Sequence, residues 1–213
     1  MAIAEVGPGE PLAGPWRARA RREVADELIG RCAEALVGVV AVDGRSGAGK
    51  TTVAAALAEA LRASAVLHTD DFAWHHSFFG WTELLRGVLA DARAGRAVSY
   101  RPPAWDARGR PGAIEVPAGT RIVIVEGVGA GRRELCDHLD ALVWVQSDFA
   151  EAERRGIARD GGDAHAEAFW HEWMAEEIPF LLADRPWERA DVVVDGTSGP
   201  QRTHLLTAPQ LPT

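Results

Sequence analysis

The chain has 213 residues, of which 47% are hydrophobic and 25% are charged, and this composition excludes a disordered or fibrous protein. The 31 acidic residues outnumber the 23 lysine and arginine residues, and the net charge of −8 argues against sequence-independent binding to nucleic acid or to an anionic membrane. No apolar run reaches the roughly 18 residues that a membrane span needs. The length favours one domain over residues 1–213 with a single core.

The N-terminal sequence and the cysteines indicate a compartment. The first residues, MAIAEVGPGEPLAGPW, lack the basic start and the apolar stretch of a secretory signal. Cys32 and Cys136 are the only cysteines, and two thiols so far apart favour a reducing compartment over a disulfide scaffold. We therefore expect a cytoplasmic protein.

The first half of the chain alternates helices and strands. Residues 1–15 hold three prolines and three glycines and are expected to be flexible. Hydrophobic spacing and apolar β-branched runs then predict, in order, a helix over 16–36, a strand over 37–42, a helix over 50–62, a strand over 65–69 and a helix over 82–94.

The second half continues the alternation after an interruption. The proline-rich stretch 98–118 is predicted to be a long loop. It is followed by predicted strands over 121–125 and 141–145, helices over 148–160 and 165–183, a strand over 191–194, and a frayed tail from 199. This pattern predicts an α/β domain with a five-stranded parallel sheet covered by helices on both faces. Ligands of such sheets bind beyond the C-terminal ends of the strands.

A phosphate-binding motif follows the first long strand. The segment G-R-S-G-A-G-K-T at 44–51 matches G-x-x-x-x-G-K-[ST] between a predicted strand and a predicted helix. Its glycines allow the backbone N–H groups to curl around phosphate oxygens, and the following helix adds its N-terminal dipole. The predicted nucleotide-binding residues are Gly44, Ser46, Gly47, Ala48, Gly49, Lys50, Thr51 and Thr52. In this motif the lysine reaches the β- and γ-phosphates and the threonine hydroxyl can bind Mg²⁺.

The lysine count narrows the class of P-loop protein. Lys50 is the only lysine, so the chain uses arginine at every other basic position. A codon bias that replaces lysine wherever arginine suffices would explain this count. Because Lys50 has not been replaced, we infer that position 50 requires an ammonium group. Guanine-specific GTPases carry an N-K-x-D motif, which this chain cannot supply, and an ABC-type signature is absent as well. ATP-using kinases and less usual ATPases remain.

Two carboxylates follow the second strand. Asp70 and Asp71 stand where a side chain can reach toward the γ-phosphate. A carboxylate there can accept a proton from an acceptor hydroxyl or help to hold Mg²⁺. Helix capping is the alternative explanation for an aspartate at this position. We favour Asp70 as the functional residue, and the sequence leaves open which of the two is the base.

A third carboxylate, Glu126, ends the apolar strand V-I-V-E-G. A carboxylate at the end of such a strand suits a position beside the metal ion, so we expect Thr51, Asp70 and Glu126 to form the metal site. A solvent-facing strand end is the alternative.

An arginine-rich helix is predicted after the fourth strand. Arg155 and Arg159 lie four residues apart on one helix face, and Arg154 adjoins them. Guanidinium groups fit phosphate oxygens and can stabilise the charge that develops during transfer, which predicts catalytic roles for Arg155 and Arg159 and a nucleotide contact for Arg154. Gly161-Gly162 can serve as the hinge of a closing lid. Surface pairing with Glu151 is the alternative.

Aromatic residues and histidines near these motifs are further candidates. Trp74, Trp81 and Trp105 could stack on a planar substrate, and core or surface packing is the alternative. Three histidines close to Asp70 could line a substrate pocket: His68, His75 and His76.

Four motifs in order carry a resemblance to a known family. They are D-G-R-S-G-A-G-K-T-T at 43–52, T-D-D-F at 69–72, V-E-G-V at 125–128 and R-R-G-I-A-R-D at 154–160. Over most of its length the chain resembles the uridine kinase and phosphoribulokinase branch of P-loop kinases. In that family Tyr and His residues usually follow the second helix and read the pyrimidine. Here the corresponding stretch is 99–106, in which Tyr100 is a match for the tyrosine but no histidine is present.

The resemblance implies a P-loop NTPase fold with the strand order 2-3-1-4-5 and a helical lid. It implies ATP- and Mg²⁺-dependent phosphorylation of a hydroxyl on a small molecule, such as a nucleoside. It also implies that Asp70 is the base, Glu126 lies beside the metal, and Arg154, Arg155 and Arg159 belong to the lid. A kinase for a non-nucleoside alcohol and a nucleotide-binding regulator without transferase activity are the alternatives. The oligomeric state stays open, a homo-oligomer included.

Overall fold

The computed structural model describes residues 3–62, 64–201 and 203–210. Its strands are β1 (Arg17–Ala20), β2 (Gly38–Gly44), β3 (Ser64–His68), β4 (Val98–Tyr100), β5 (Ile114–Val116), β6 (Ile122–Glu126), β7 (Ala141–Gln146), β8 (Val192–Asp195) and β9 (His204–Ala208). Its α-helices are α1 (Arg21–Arg31), α2 (Lys50–Ala60), α3 (Thr69–Ala73), α4 (Thr82–Arg93), α5 (Pro103–Arg108), α6 (Phe149–Arg159) and α7 (Ala164–Asp184), with short 3-10 helices at Arg133–His138 and Pro186–Arg189.

A seven-stranded sheet in the order β1-β9-β8-β7-β2-β6-β3 forms the centre of the molecule. The five strands from β8 to β3 are parallel to one another, and their order confirms the expected arrangement 2-3-1-4-5. Residues of β2, β6, β7 and β8 are all buried, because helices cover both faces of the sheet.

Alternate residues of the central strands enter two separate cores. In β2, Val39 packs in a core that includes Leu85 of α4, whereas Val40 packs in a core that includes Leu28 of α1 and Leu57 of α2. The period-2 alternation of a strand produces this division. Of the helices in the described part of the chain, none is long and apolar enough to cross a membrane.

Two edge strands extend the sheet beyond the five predicted. The expectation of a helix from residue 16 is wrong at its start, because 17–20 form β1 before α1 begins at Arg21. The expectation of a frayed tail is wrong for 204–208, which pair antiparallel with both β1 and β8. Leu205 of β9 is fully buried, and this burial stabilises the edge. The last residues of the tail, 211–213, lie outside the described residues.

The predicted loop 98–118 is also more regular than expected. It contains the antiparallel pair β4–β5, which joins Val98 to Val116, and the short helix α5 between the strands. Pro103 occupies the first turn of α5, where its missing N–H is not needed. Trp105 of α5 is buried, so residues 98–116, which we call the β4–β5 excursion, pack against the body of the protein.

The leading segment has no helix or strand between residues 3 and 16, yet one side chain anchors it. The buried Glu10 carboxylate accepts hydrogen bonds from Nε of Arg45 (3.0 Å), Nε1 of Trp144 (2.5 Å) and Nε2 of Gln146 (2.7 Å). Burial raises the pKa of Glu10 even though the Arg45 guanidinium opposes this effect. The segment therefore contacts both the phosphate loop and β7.

Candidate active site

The phosphate loop connects the end of β2 to the start of α2. Its backbone has positive φ angles at Gly47 (73°) and Gly49 (95°), a region that side chains rarely adopt. A Cβ atom at Gly47 would also overlap the carbonyl oxygen of Ala152 in α6. Glycine is therefore required at Gly47 both for the turn and for the close approach of α6.

Lys50 and Thr51 face the centre of the site. Lys50 is buried, and its Nζ donates to the carbonyl oxygen of Arg45 at 2.9 Å. The hydroxyl of Thr51 donates to Oε1 of Glu126 at 3.2 Å. Of the predicted nucleotide-binding residues, Ser46, Lys50 and Thr51 line the cavity described below. The others shape the loop or the first turn of α2, namely Gly44, Gly47, Ala48, Gly49 and Thr52.

Glu126 has a second partner that the sequence did not identify. Nδ1 of His68 lies 2.5 Å from Oε1 of Glu126, and the two residues are paired across the adjacent strands β3 and β6. Burial alone would raise the pKa of Glu126, but the hydrogen bond from His68 and the nearby Lys50 hold it below its usual range. The same hydrogen bond raises the pKa of His68 against the effect of burial. The predicted strand order places the strand that ends at His68 beside the strand that ends at Glu126, and this adjacency could have indicated the His68–Glu126 pair.

Asp43 ties the phosphate loop to the turn after Glu126. It is fully buried, and its carboxylate accepts from the backbone N–H groups of Gly44 (2.7 Å), Gly129 (2.9 Å) and Gly131 (2.8 Å). Burial raises the pKa of Asp43 to about 6, although the three N–H groups and Lys50 oppose the shift. The turn after β6 is thereby held in a fixed position relative to the loop.

The structure separates the two aspartates after β3. Asp70 is exposed and lines the cavity. Asp71 instead accepts from Nη2 of Arg110 at 2.5 Å, while its backbone oxygen accepts from Nε1 of Trp105 at 3.0 Å. Arg110 lies over the ring of Trp105 at 3.7 Å and 5.2 Å from that of Trp74. Asp71 is thus an anchor for the β4–β5 excursion, and Asp70 is the one of the two aspartates that lines the cavity.

The three predicted lid arginines also lie in different places. Arg159 lines the cavity and forms an ion pair with Asp160, Nε to Oδ1 2.8 Å. Arg155 donates to the carbonyl oxygens of Gly196 (2.8 Å) and Thr197 (2.6 Å), so it supports the loop after β8. Arg154 lies outside the cavity and forms an ion pair with Glu151 on the surface.

The two arginines that are not in the cavity share a carboxylate. Glu151 lies 2.7 Å from Nη2 of Arg154 and 2.8 Å from Nε of Arg155, and these hydrogen bonds lower its pKa to about 2. The surface-pairing alternative therefore describes the geometry at Arg154. The predicted catalytic role of Arg155 and nucleotide contact of Arg154 stay predictions.

A single cavity of about 280 Å³ joins these elements. Its phosphate end contains Lys50, Thr51, Asp70 and Glu126. The cavity also has an aromatic side, which we call the acceptor wall and which is formed by Trp74 after α3 and by three residues of α7, namely Phe169, Trp170 and Trp173. The cavity therefore combines polar side chains from the phosphate loop and the strand ends with an aromatic surface.

The other aromatic and histidine candidates lie outside this cavity. Trp81 and Trp105 are buried in the core beneath α4. Tyr100 packs with its ring 6.2 Å from that of Phe72. Neither His75 nor His76 is among the residues that line the cavity.

A buried carboxylate of α7 touches the phosphate loop, and the sequence analysis missed it. Glu177 is fully buried, and its two carboxylate oxygens lie 3.2 and 3.3 Å from the backbone nitrogen of Ser46. Nε1 of Trp173 lies 2.6 Å from both Oε2 of Glu177 and Oγ of Ser46. A glutamate inside a long helix carries no motif, so only the packing of α7 against the loop reveals it.

No protein-family model and no curated protein matches the sequence. Solved structures do match the fold. One, from Silicibacter sp. TM1040, is provisionally assigned as a fructose transport system kinase. It shares 20% identity with this chain at a TM-score of 0.56, covering 78% of this chain and 92% of its own.

A second similar structure comes from Bacillus stearothermophilus and is provisionally assigned as a uridine kinase. It shares 21% identity at a TM-score of 0.57, covering 82% of this chain and 97% of its own. The chain therefore has the fold of P-loop kinases. The resemblance to the uridine kinase and phosphoribulokinase branch is confirmed at the level of the fold.

Proposed function

We propose that the protein is an ATP- and Mg²⁺-dependent phosphotransferase that phosphorylates a hydroxyl group of a small molecule. The observation that carries this proposal is the single cavity in which the P-loop lysine, the carboxylates of Asp70 and Glu126 and the acceptor wall meet. Phosphoryl transfer needs positioned phosphates, charge neutralisation and a base for the acceptor hydroxyl, and each has a candidate residue here.

The phosphate loop would hold the nucleotide. Its backbone N–H groups and the N-terminus of α2 favour anionic oxygens. Lys50 donates to the loop carbonyl of Arg45 and can turn its ammonium to the β- and γ-phosphates when they are present. Arg159 at the rim of the cavity would neutralise charge on the transferring group.

The oxygens of Thr51 and Glu126 fit a magnesium ion. Mg²⁺ in such sites binds one or two protein oxygens together with substrate phosphates and water. The two side chains are 3.2 Å apart, and the lowered pKa of Glu126 keeps its carboxylate ionised at neutral pH. The bound ion would neutralise phosphate charge, while His68 holds Glu126 in place.

Asp70 would act as the base. Among the described residues it has no hydrogen-bond or ion-pair partner, so its carboxylate is available to accept the proton of an acceptor hydroxyl. Its neighbour Asp71 is held by Arg110 and cannot reach the cavity without breaking that ion pair. Asp70 could alternatively contribute an oxygen to the metal site, as the sequence analysis allowed.

The acceptor wall supports an uncharged acceptor. Of the two cations that line the cavity, Lys50 would hold the nucleotide phosphates and Arg159 would neutralise the transferring group, so neither is left for a charged acceptor. A phosphorylated acceptor would therefore lack a partner for its charge, whereas an apolar or flat face could stack on Trp74 and Trp173. We propose a nucleoside or another small alcohol as the acceptor. Uridine and cytidine should be poor acceptors, because residues 99–106 around Tyr100 contain no histidine that could read a pyrimidine.

An acceptor screen tests the proposal. The purified protein is incubated with Mg·ATP and a panel of nucleosides, neutral alcohols and sugar phosphates, and ADP release is followed. We expect release that depends on Mg²⁺ and is stimulated by at least one neutral acceptor. A protein that binds ATP but shows no stimulation by any acceptor would instead be a nucleotide-binding regulator.

A further inference from the structure

Glu177 is fully buried, and a backbone N–H group of the phosphate loop offsets part of the cost of burying its charge. Burying a carboxylate is costly unless N–H donors or a cation compensate it. In the described part of the chain Glu177 forms no ion pair with an arginine, lysine or histidine. Its donors are the backbone N–H of Ser46 and the indole N–H of Trp173.

The N–H groups of a phosphate loop normally receive phosphate oxygens. We propose that Glu177 is a specificity-determining residue of the nucleotide site. Its carboxylate takes the place of an oxygen of the terminal phosphate, and a nucleoside triphosphate has to displace it from Ser46. This inference rests on the proposed nucleotide binding. Lys50 is not used by the carboxylate, since its Nζ donates to Arg45.

Trp173 extends the effect to the acceptor wall. Its Nε1 bonds both Ser46 and Glu177, and its ring lines the cavity. The same ring contacts Phe78 and Phe79 at centroid distances of 5.3 and 5.4 Å. When Glu177 leaves Ser46, Trp173 loses one of its two acceptors next to the acceptor site. A diphosphate lacks the terminal group and leaves the contact in place, so the wall responds to the triphosphate alone.

Binding of two nucleotides to matched variants tests this role. Dissociation constants for Mg·AMPPNP and Mg·ADP are measured by calorimetry on the wild type, Glu177→Gln and Glu176→Gln. Glu176 is the exposed neighbour on the same helix, so its variant makes the same charge change away from the loop. We expect Glu177→Gln to tighten AMPPNP binding about tenfold, because one negative charge near the terminal phosphate is removed, and to leave ADP within about twofold. Glu176→Gln should change neither.

A second readout covers the case in which Glu177→Gln does not fold. Tryptophan fluorescence should change on adding AMPPNP and not on adding ADP, and this difference should vanish in Trp173→Phe. Unchanged or equally weakened binding of both nucleotides in Glu177→Gln would show that the carboxylate only supports the loop and would overturn the inference. An equal fluorescence response to both nucleotides would do so too. If the wild type binds neither nucleotide, the proposed function itself fails.

Discussion

The phosphate end and the acceptor wall of the cavity are built in different ways. Each residue of the phosphate end follows or ends a parallel strand: Lys50 comes after β2, Asp70 after β3, and Glu126 closes β6. Because these strands lie side by side, their carboxyl ends bring the three side chains together through topology alone.

The acceptor wall depends on packing between segments that are distant in the chain. Trp74 is held by Arg110 from the β4–β5 excursion, whereas Trp173 is held by Ser46 and Glu177. The residues of the phosphate end are thus brought together by sheet order, and those of the acceptor wall by tertiary contacts. In the proposed reaction, the first would determine the transfer step and the second the choice of acceptor. Substitutions at the two ends should therefore have different consequences.

The largest effect is expected at Lys50. Lys50→Arg should abolish phosphoryl transfer, because a broad planar guanidinium does not fit a loop that encloses a compact ammonium. Amine-selective labelling provides an independent measurement, since Lys50 has the only side-chain amine of the chain. Mg·ATP should protect Lys50 and leave the N-terminus reactive. Full activity of Lys50→Arg, or labelling that ignores Mg·ATP, would remove the basis for the phosphate end.

The next largest effect separates Asp70 from Asp71. Asp70→Asn should keep ATP binding and lower turnover by roughly 10²–10⁴-fold, the usual contribution of a general base. Asp71→Asn should mainly weaken the contact with Arg110 and so raise the KM for the acceptor. Steady-state kinetics of both variants measure the difference. A larger loss of turnover in Asp71→Asn would mean that the base has been assigned to the wrong carboxylate.

These contrasts follow what the sequence could and could not predict. The positions of the central strands and the residues at their ends were predictable, because apolar runs, a P-loop and strand-end carboxylates are local signals. The order of those strands was predictable only from the family resemblance. The edge strands β1 and β9 were not predictable from the sequence. RARA at 17–20 carries no hydrophobic signal, and its pairing with 204–207 joins opposite ends of the chain.

The different positions of the arginines on α6 were also not predictable from the sequence. Arg155 and Arg159 share a helix face in the sequence, yet one supports the loop after β8 and the other lines the cavity. Their roles depend on where Glu151 and Asp160 draw each guanidinium, which is a matter of tertiary geometry. Glu177 was missed for the same reason, since only docking of α7 on the loop gives it a partner.

A smaller effect should distinguish two arginines of α6, one that lines the cavity and one on the surface. Arg159→Ala should lower kcat about 10²-fold if its guanidinium neutralises charge during transfer. Arg154→Ala is the matched control on the same helix and should stay within about twofold, because exposed ion pairs contribute little. Equal effects of the two variants would contradict the placement of Arg159 in the site. Hydrogen exchange over 150–165 with ATP and acceptor bound would show whether this segment closes as a lid.

The smallest effect concerns the pH dependence of stability at the phosphate end. The folded-state pKa of Asp43 is about 6, above the 3.8 of an unperturbed aspartate. The folded state therefore binds the proton more tightly than the unfolded state, so the contribution of Asp43 to stability is present at low pH. It is lost as the pH rises from about 4 to about 6, by up to roughly 3 kcal/mol.

Urea unfolding of the wild type and Asp43→Asn from about pH 3 to pH 7 measures this contribution as a difference. The advantage of the wild type over Asp43→Asn should shrink as the pH rises, because only the wild type loses the proton from this buried position. Asp163, the exposed N-cap of α7, is a control of opposite sign, since hydrogen bonding to Ala166 N–H lowers its pKa. The advantage of the wild type over Asp163→Asn should grow over the acidic range instead. A contrary result would be that the advantage of the wild type grows with pH over both variants. The ionised carboxylate of Asp43 would then be as well stabilised as that of an exposed helix cap. The three N–H bonds would then outweigh its burial.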